Sequence, residues 1–239
     1  MMARTVVALA SAAAMMLGVA GKAEAAPIPV ELVLAIDASG SISNANYDLQ
    51  KNAYANVLSS GLITTDGKIA IGVLQFGNGT NIEYGLQVID SQAKKDALVA
   101  AINAMTRGSL GAATHIGTAV NVAQGMLAGL DFANGNQVID VSTDGQVNGG
   151  NDLPNAVAAA NVAGTVVNCL GVTASANCNF VNTAANLGGF SVTAQDFAAF
   201  QGALEKKIAQ ETGQVPEPTL MTLAGLGLVG LVVRRRVRR

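Results

Sequence analysis

Apolar and polar positions alternate along most of this chain between short, nearly continuous apolar runs and longer amphipathic stretches. Glu31 to Ile36 is a short apolar run ending in Asp37, which predicts a buried parallel strand. Tyr47 to Leu58 predicts a helix, with Asn44 or Asn46 as its cap. Lys68 to Phe76 and Asn81 to Ile89 predict two strands, and the intervening Gly77-Asn78-Gly79 makes them an antiparallel hairpin at a sheet edge. Gln92 to Met105 reads as a helix. A Gly/Ala loop from Gly108 to Ala113 then leads into a helix from Ile116 to Leu127. Strands at Gln137 to Ser142 and Val166 to Val172 flank a helix at Leu153 to Ala163, followed by a short helix at Phe180 to Asn186 and a strand at Phe190 to Thr193. Phe197, Phe200, Leu204 and Ile208 recur at helical spacing, so a closing helix from Gln195 to Gln210 packs on the sheet. The expected fold is α/β: three layers, doubly wound, with a mostly parallel sheet and one antiparallel edge strand. No internal repeat is present.

Both ends break this alternation. Arg4, the apolar stretch from Val6 to Ala20 and the Ala23-Glu24-Ala25 cleavage site read as a signal peptide over residues 1–25. Residues 26–212 then form the domain and 213–239 a tail. The tail holds Val215-Pro216-Glu217-Pro218, an apolar segment (219–233) and a basic end (234–239) with five arginines. The apolar segment is short of the about 20 residues of a membrane span. Snorkelling arginines and local bilayer thinning leave spanning open, with the arginines on the cytoplasmic side. Gly225, Gly227 and Gly230 spell a dinucleotide fingerprint, but no βαβ unit surrounds them. The order of motif, short span and terminal arginines resembles the PEP-CTERM sorting signal of Gram-negative bacteria; an ordinary C-terminal anchor is the plainer alternative. The resemblance implies that an exosortase recognises Pro216, Glu217 and Pro218 and removes the tail. The product would pass from the inner membrane to the cell surface or extracellular matrix.

Charge narrows the partners. The formal net charge of −2 includes the terminal arginines; Ala26 to Pro216 holds 7 Lys/Arg against 14 Asp/Glu, a net of −7. An acidic domain lacks the cations that nucleic-acid binding needs, and no nucleic-acid partner is expected. Cys169 and Cys178 are expected to form one disulfide in an exported protein, two free thiols being the alternative. A soft metal site would need further soft ligands, and His115 is the only histidine.

Candidate chemistry gathers where ligands bind in open α/β sheets, at the carboxyl ends of the strands. Asp37 ends the first strand in Asp37-Ala38-Ser39-Gly40-Ser41, Thr114 closes the glycine-rich loop, and Asp144 follows the central strand. Carboxylates and hydroxyls are hard oxygen ligands suited to Mg²⁺, with Mn²⁺ or Ca²⁺ as alternatives. Gly40 permits the tight turn that lets both serines face one ion. The competing reading has these residues only capping helices.

The ordered set D-x-S-x-S, Thr in a Gly-rich loop and T-D-G resembles the metal-ion-dependent adhesion site of von Willebrand factor type A domains, over Val30 to Gln210. The resemblance implies a von Willebrand factor A, Rossmann-like fold. It implies that Ser39 and Ser41 bind the ion directly, Thr114 directly or through water, and Asp37 and Asp144 mostly through water. A sixth position would take a carboxylate from a protein or extracellular-matrix ligand offering Asp or Glu. Asp140 departs from the family pattern, which has an aliphatic residue there. It is either a supporting group around the metal, as His115 could also be, or a buried acid satisfied by backbone or hydroxyl donors. A Ser-His-Asp triad through His115 lacks the G-x-S-x-G elbow, and no enzyme activity is expected. Asn78-Gly79-Thr80 matches a glycosylation sequon but reads as a hairpin turn. The expected function is an exported, metal-dependent adhesion module. The alternative is a structural exopolysaccharide or biofilm matrix protein whose metal mainly stabilises the fold.

Overall fold

A strand buried along its whole length needs partners on both edges and cover on both faces. Strand β1 (Val30–Asp37) meets both conditions in the computed structural model, which describes residues 30–129, 136–184, 186 and 188–214. The signal-peptide and Pro-Glu-Pro assignments, with the apolar segment and arginines after them, lie outside the described residues.

β1 pairs in parallel with β2 (Ile69–Phe76) on one edge and β4 (Asn136–Thr143) on the other. β2 carries the antiparallel edge strand β3 (Thr80–Val88). β4 continues in parallel to β5 (Thr165–Val172), and β5 to β6 (Ser191–Ala194). The order is therefore β3-β2-β1-β4-β5-β6, with the winding direction reversing at β1. Side-chain alternation splits the core into two layers. Leu32, Leu34 and Ile36 face helices α1 (Asn44–Ser59), α2 (Gln92–Ala104) and α5 (Phe200–Glu211). Val33 and Ala35 face α3 (Ile116–Leu127) and α4 (Leu153–Val162). This is the three-layer, mostly parallel arrangement expected. Among the described residues, no helix is long and apolar enough to cross a membrane.

Three elements depart from the apolar pattern. The α1 cap is Ser43, whose hydroxyl accepts the Asn46 N–H at 3.2 Å; Asn44 is already helical. The short helix after β5 is a single 3₁₀ turn, Asn179–Asn182. Asn186 instead pairs with β5: its amide oxygen accepts the Val167 N–H at 3.0 Å, and its nitrogen donates to the Val167 carbonyl at 2.7 Å. The last helix starts at Phe200 rather than Gln195. Asp196 accepts the Ala199 N–H ahead of it, and Phe197 stacks on Phe200 with centroids 6.2 Å apart. The apolar periodicity thus begins before the helix does.

A disulfide joins Cys169 of β5 to Cys178, with Cα atoms 5.7 Å apart. It closes a short loop beside the sheet's carboxyl end. Replacing both cysteines by alanine should cost about 2.5 kcal/mol by the loop-entropy relation, read as a lower urea midpoint. An unchanged midpoint would show that other contacts hold this loop.

Candidate metal centre

The winding reversal places a crevice between the carboxyl ends of β1 and β4. Asp37 closes β1 there and is fully buried. One of its carboxylate oxygens accepts the Ser39 N–H at 2.8 Å, and the other accepts the Thr143 hydroxyl at 2.6 Å. The Thr143 hydroxyl also accepts the Gly145 N–H at 3.2 Å, so one side chain organises both ends of the crevice. Gln50 of α1 donates to the Asp37 carbonyl at 2.9 Å and fixes the strand end from behind.

The hydroxyls lie above this base. Ser39 Oγ and Ser41 Oγ are 3.1 Å apart, and Ser41 donates to Asp144 Oδ1 at 2.5 Å. Thr114 comes from the third loop, whose close approach depends on glycine. Gly40 N–H donates to the Ala112 carbonyl at 3.0 Å, and a Cβ on Gly40 would lie 2.9 Å from Ala112 Cβ. The Thr114 N–H donates to Asn148 Oδ1 at 2.7 Å. A Cβ on Gly145 would stand 3.5 Å from Thr114 Oγ1 and 3.6 Å from Ser41 Oγ, so both hydroxyls border the space over Gly145. The structure therefore brings Asp37, Ser39, Ser41, Thr114 and Asp144 to one end of the sheet.

His115 and Asp140 are placed differently. His115 braces the loop behind Thr114: its N–H donates to the Gly77 carbonyl at 3.1 Å, and its Nδ1 lies 2.8 Å from the Asn78 carbonyl. Its side chain packs so closely against Gly149 and Gly150 that a Cβ on Gly149 would lie 2.6 Å from Nε2 and one on Gly150 2.6 Å from the histidine Cβ. Asp140 faces the α5 side of the sheet, opposite to Asp37 and Thr143. Its partner is Lys207, at 2.5 Å, and not a backbone or hydroxyl donor. A two-residue strand period leading back from Asp144 assigns Asp140 a shared face, but Asp144 lies beyond the strand, where that period no longer holds.

Thr143, Asn78 and Asn148 support the site without having been singled out for it. Thr143 had a legible signal, since it shares the parity of buried Ile139 and Val141 yet is polar. Asn78 matches a sequon, but its side chain is engaged: Oδ1 accepts the Ala113 N–H at 2.7 Å.

Burial pushes the Asp37 carboxyl up to about 6. The hydrogen bonds from Ser39 and Thr143 oppose the shift, and the charge of Asp144 adds to it. A carboxyl raised in the fold is protonated there while its unfolded counterpart ionises. The metal-free domain should therefore lose about 2 kcal/mol as pH rises from about 4 through about 6, and then level off. Urea titrations at fixed pH in EDTA measure this; a flat profile would show Asp37 charged throughout. A buried carboxylate beside a second carboxylate and three hydroxyls is a hard-oxygen donor set that a small divalent cation fits. Among the described residues, no group of three or more His, Cys, Asp or Glu forms an alternative centre.

The doubly wound, mostly parallel sheet is a von Willebrand factor type A-like fold, and solved structures agree on that fold. The chain is similar to proximal thread matrix protein 1 of the mussel byssus, at 20% identity and a TM-score of 0.64 over 77% of this chain and 48% of that one. Another form of the mussel protein has a zinc-occupied MIDAS motif, with 18% identity, a TM-score of 0.63 and the same coverage. A von Willebrand factor type A structure from Catenulispora acidiphila shares 18% identity at a TM-score of 0.64, over 78% of this chain and 43% of that one. The chain thus spans about half the length of the mussel structures it matches.

The chain belongs to the family described as protein of unknown function DUF1194, matched over residues 27–216. Residues 214–237 match the PEP-CTERM protein-sorting motif, which implies export, membrane anchoring before processing, and exosortase as the processing enzyme. No curated protein sequence matches the chain.

Proposed function

We propose that the protein is an exported binding module. A divalent cation held by Asp37, Ser39, Ser41, Thr114 and Asp144 would capture an acidic group on a protein or matrix partner. Mg²⁺ is the first choice, with Mn²⁺ or Ca²⁺ as alternatives. The observation that carries this reading is the oxygen crevice itself: a buried carboxylate tying two strand ends together, with two serine hydroxyls and a second carboxylate directly above it. Two acids and three neutral hydroxyls leave a bound cation electrophilic enough to attract a further carboxylate. The sorting motif supports action beyond the inner membrane, at the surface or in the extracellular matrix of a Gram-negative bacterium. A non-catalytic role is supported by His115, whose ring is engaged by Asn78 and the Gly149-Gly150 loop and not by a serine.

A second reading makes the protein a structural matrix component. It draws on the Asp37–Thr143 bond, through which a cation would stiffen the join between β1 and β4. A magnesium-dependent pull-down from the source organism's envelope, with wild type and Asp37→Ala side by side, separates the two. A partner retained in magnesium, released by EDTA and lost in the variant supports capture. Intact surface attachment with a lowered Tm in Asp37→Ala supports the structural role. Absence of any metal-sensitive partner sinks the adhesion reading.

A further inference from the structure

On the face of the sheet opposite the Asp37–Thr143 pair, a lysine is buried between two acids. Lys207 of α5 is fully buried, and its Nζ lies 2.5 Å from Asp140 Oδ1 on β4 and 2.5 Å from Glu211 Oε1 one helical turn onward. Asp140 is likewise fully buried, and Glu211 is 8% exposed. Asn168 of β5 donates to the same Glu211 oxygen at 2.8 Å and is itself held by the Phe190 N–H at 3.0 Å. The Phe190 ring stands 5.7 Å from the lysine nitrogen.

Two acids share one base in a dry place. An unpaired buried carboxylate is costly, so one acid keeps its proton. That acid is Glu211, pushed up to about 8 by burial and by the charge of Asp140, against the pull of Lys207. Neither Asp140 oxygen makes a hydrogen bond, although the lysine nitrogen touches Oδ1. The nitrogen thus meets this carboxyl group outside hydrogen-bond geometry, with a protonated acid alongside. An amine and a carboxyl fixed at such a distance have a very high effective concentration.

We propose that Lys207 and Asp140 condense into an intramolecular amide, with Glu211 relaying the protons. Through Glu211, which accepts the lysine's hydrogen bond, the ammonium gives up one proton and the Asp140 carboxylate gains one; the freed amine then attacks Cγ, forming the C–N bond. Glu211 protonates the departing hydroxyl, the C–O bond breaks and water leaves; Glu211 then takes back the proton shed by nitrogen. The sum is ammonium plus carboxylate giving amide plus water, with no change of oxidation state and no cofactor. Two buried charges become one neutral amide, and α5 is stapled to the middle of β4.

The test is the mass of the full-length protein purified from cells, reduced and denatured, for wild type, Lys207→Met and Glu211→Gln. Once terminal processing is accounted for, wild type should be lighter than its sequence by one water. Its peptic digest should contain a branched peptide joining the segments around Asp140 and Lys207. That peptide distinguishes the staple from cyclisation at Asp66-Gly67 or Asp144-Gly145, which also loses water. Both variants should yield only linear peptides from these segments. Wild-type chains giving only linear peptides would overturn the proposal, and that readout needs no variant to fold. Full cross-linking in Glu211→Gln would overturn the role given to Glu211.

Discussion

Asp37→Asn should remove most magnesium binding while leaving the metal-free domain at least as stable as wild type. The two effects have one cause. Burial makes the Asp37 charge costly, and its carboxyl is already pushed up to about 6. The neutral amide avoids that cost near pH 7 and keeps the local contacts. Its oxygen can accept the Ser39 N–H, and its nitrogen can donate to Thr143 Oγ1 in place of the present bond, which runs the other way. A cation over the crevice loses the charge that attracts it, and affinity should fall on the order of a hundredfold, the upper range for a group acting through an intervening ligand. Calorimetric titration gives the affinity. Thermal denaturation gives the complementary reading: wild type gains about 2.7 kcal/mol at magnesium a hundredfold over its Kd, and the variant gains little. Equal magnesium affinity in the two proteins would remove Asp37 from the site.

Gly77→Ala should damage both fold and site, because its new methyl group would meet backbone. A Cβ there would lie 2.7 Å from the Leu110 carbonyl oxygen and 2.8 Å from that of Gly111. These carbonyls belong to the loop that ends in Thr114, and the hairpin grips that loop closely. Asn78 N–H and Gly79 N–H both donate to Leu110, Gly77 accepts from His115, and Asn78 accepts from Ala113. No flexible side chain can yield, so the loop as a whole must move. Overpacking with partial loss of these bonds should cost on the order of 3 kcal/mol. Magnesium affinity should fall too, although residue 77 offers no ligand. Gly79→Ala is the control, since a Cβ there meets nothing within 4 Å. Equal stability and affinity in the two variants would show that the hairpin does not position Thr114.

The fold was legible wherever burial is uniform. β1, β2 and β5 are short, mostly apolar runs because strands covered on both faces need no polar side, and the Gly77-Asn78-Gly79 turn marks the one antiparallel pair among the described strands. Boundaries failed where side chains do the work of backbone. Ser43 caps α1 from just before the expected range, and Asn186 bonds to β5 where a helical turn was expected. The five oxygen residues were legible because their types and order are unusual together. The partner of Asp140 was not, since Lys207 lies 67 positions away and reads locally as one of two consecutive lysines on an amphipathic helix. The supporting role of Asn78 was hidden for the same reason: a turn asparagine satisfies local rules whether or not it also bonds to a distant loop.

The hydrogen bond from Ser41 to Asp144, only 2.5 Å long, bears on how the second carboxylate would serve a bound cation. A serine hydroxyl keeps two lone pairs beside its one proton, so Ser41 could ligate a cation through oxygen while still donating to Asp144. A cation on that oxygen would draw electron density from the hydroxyl and strengthen its bond to the carboxylate. Asp144 would thereby lend its charge to the ion without taking up a coordination position, leaving that position free for a carboxylate from outside the chain.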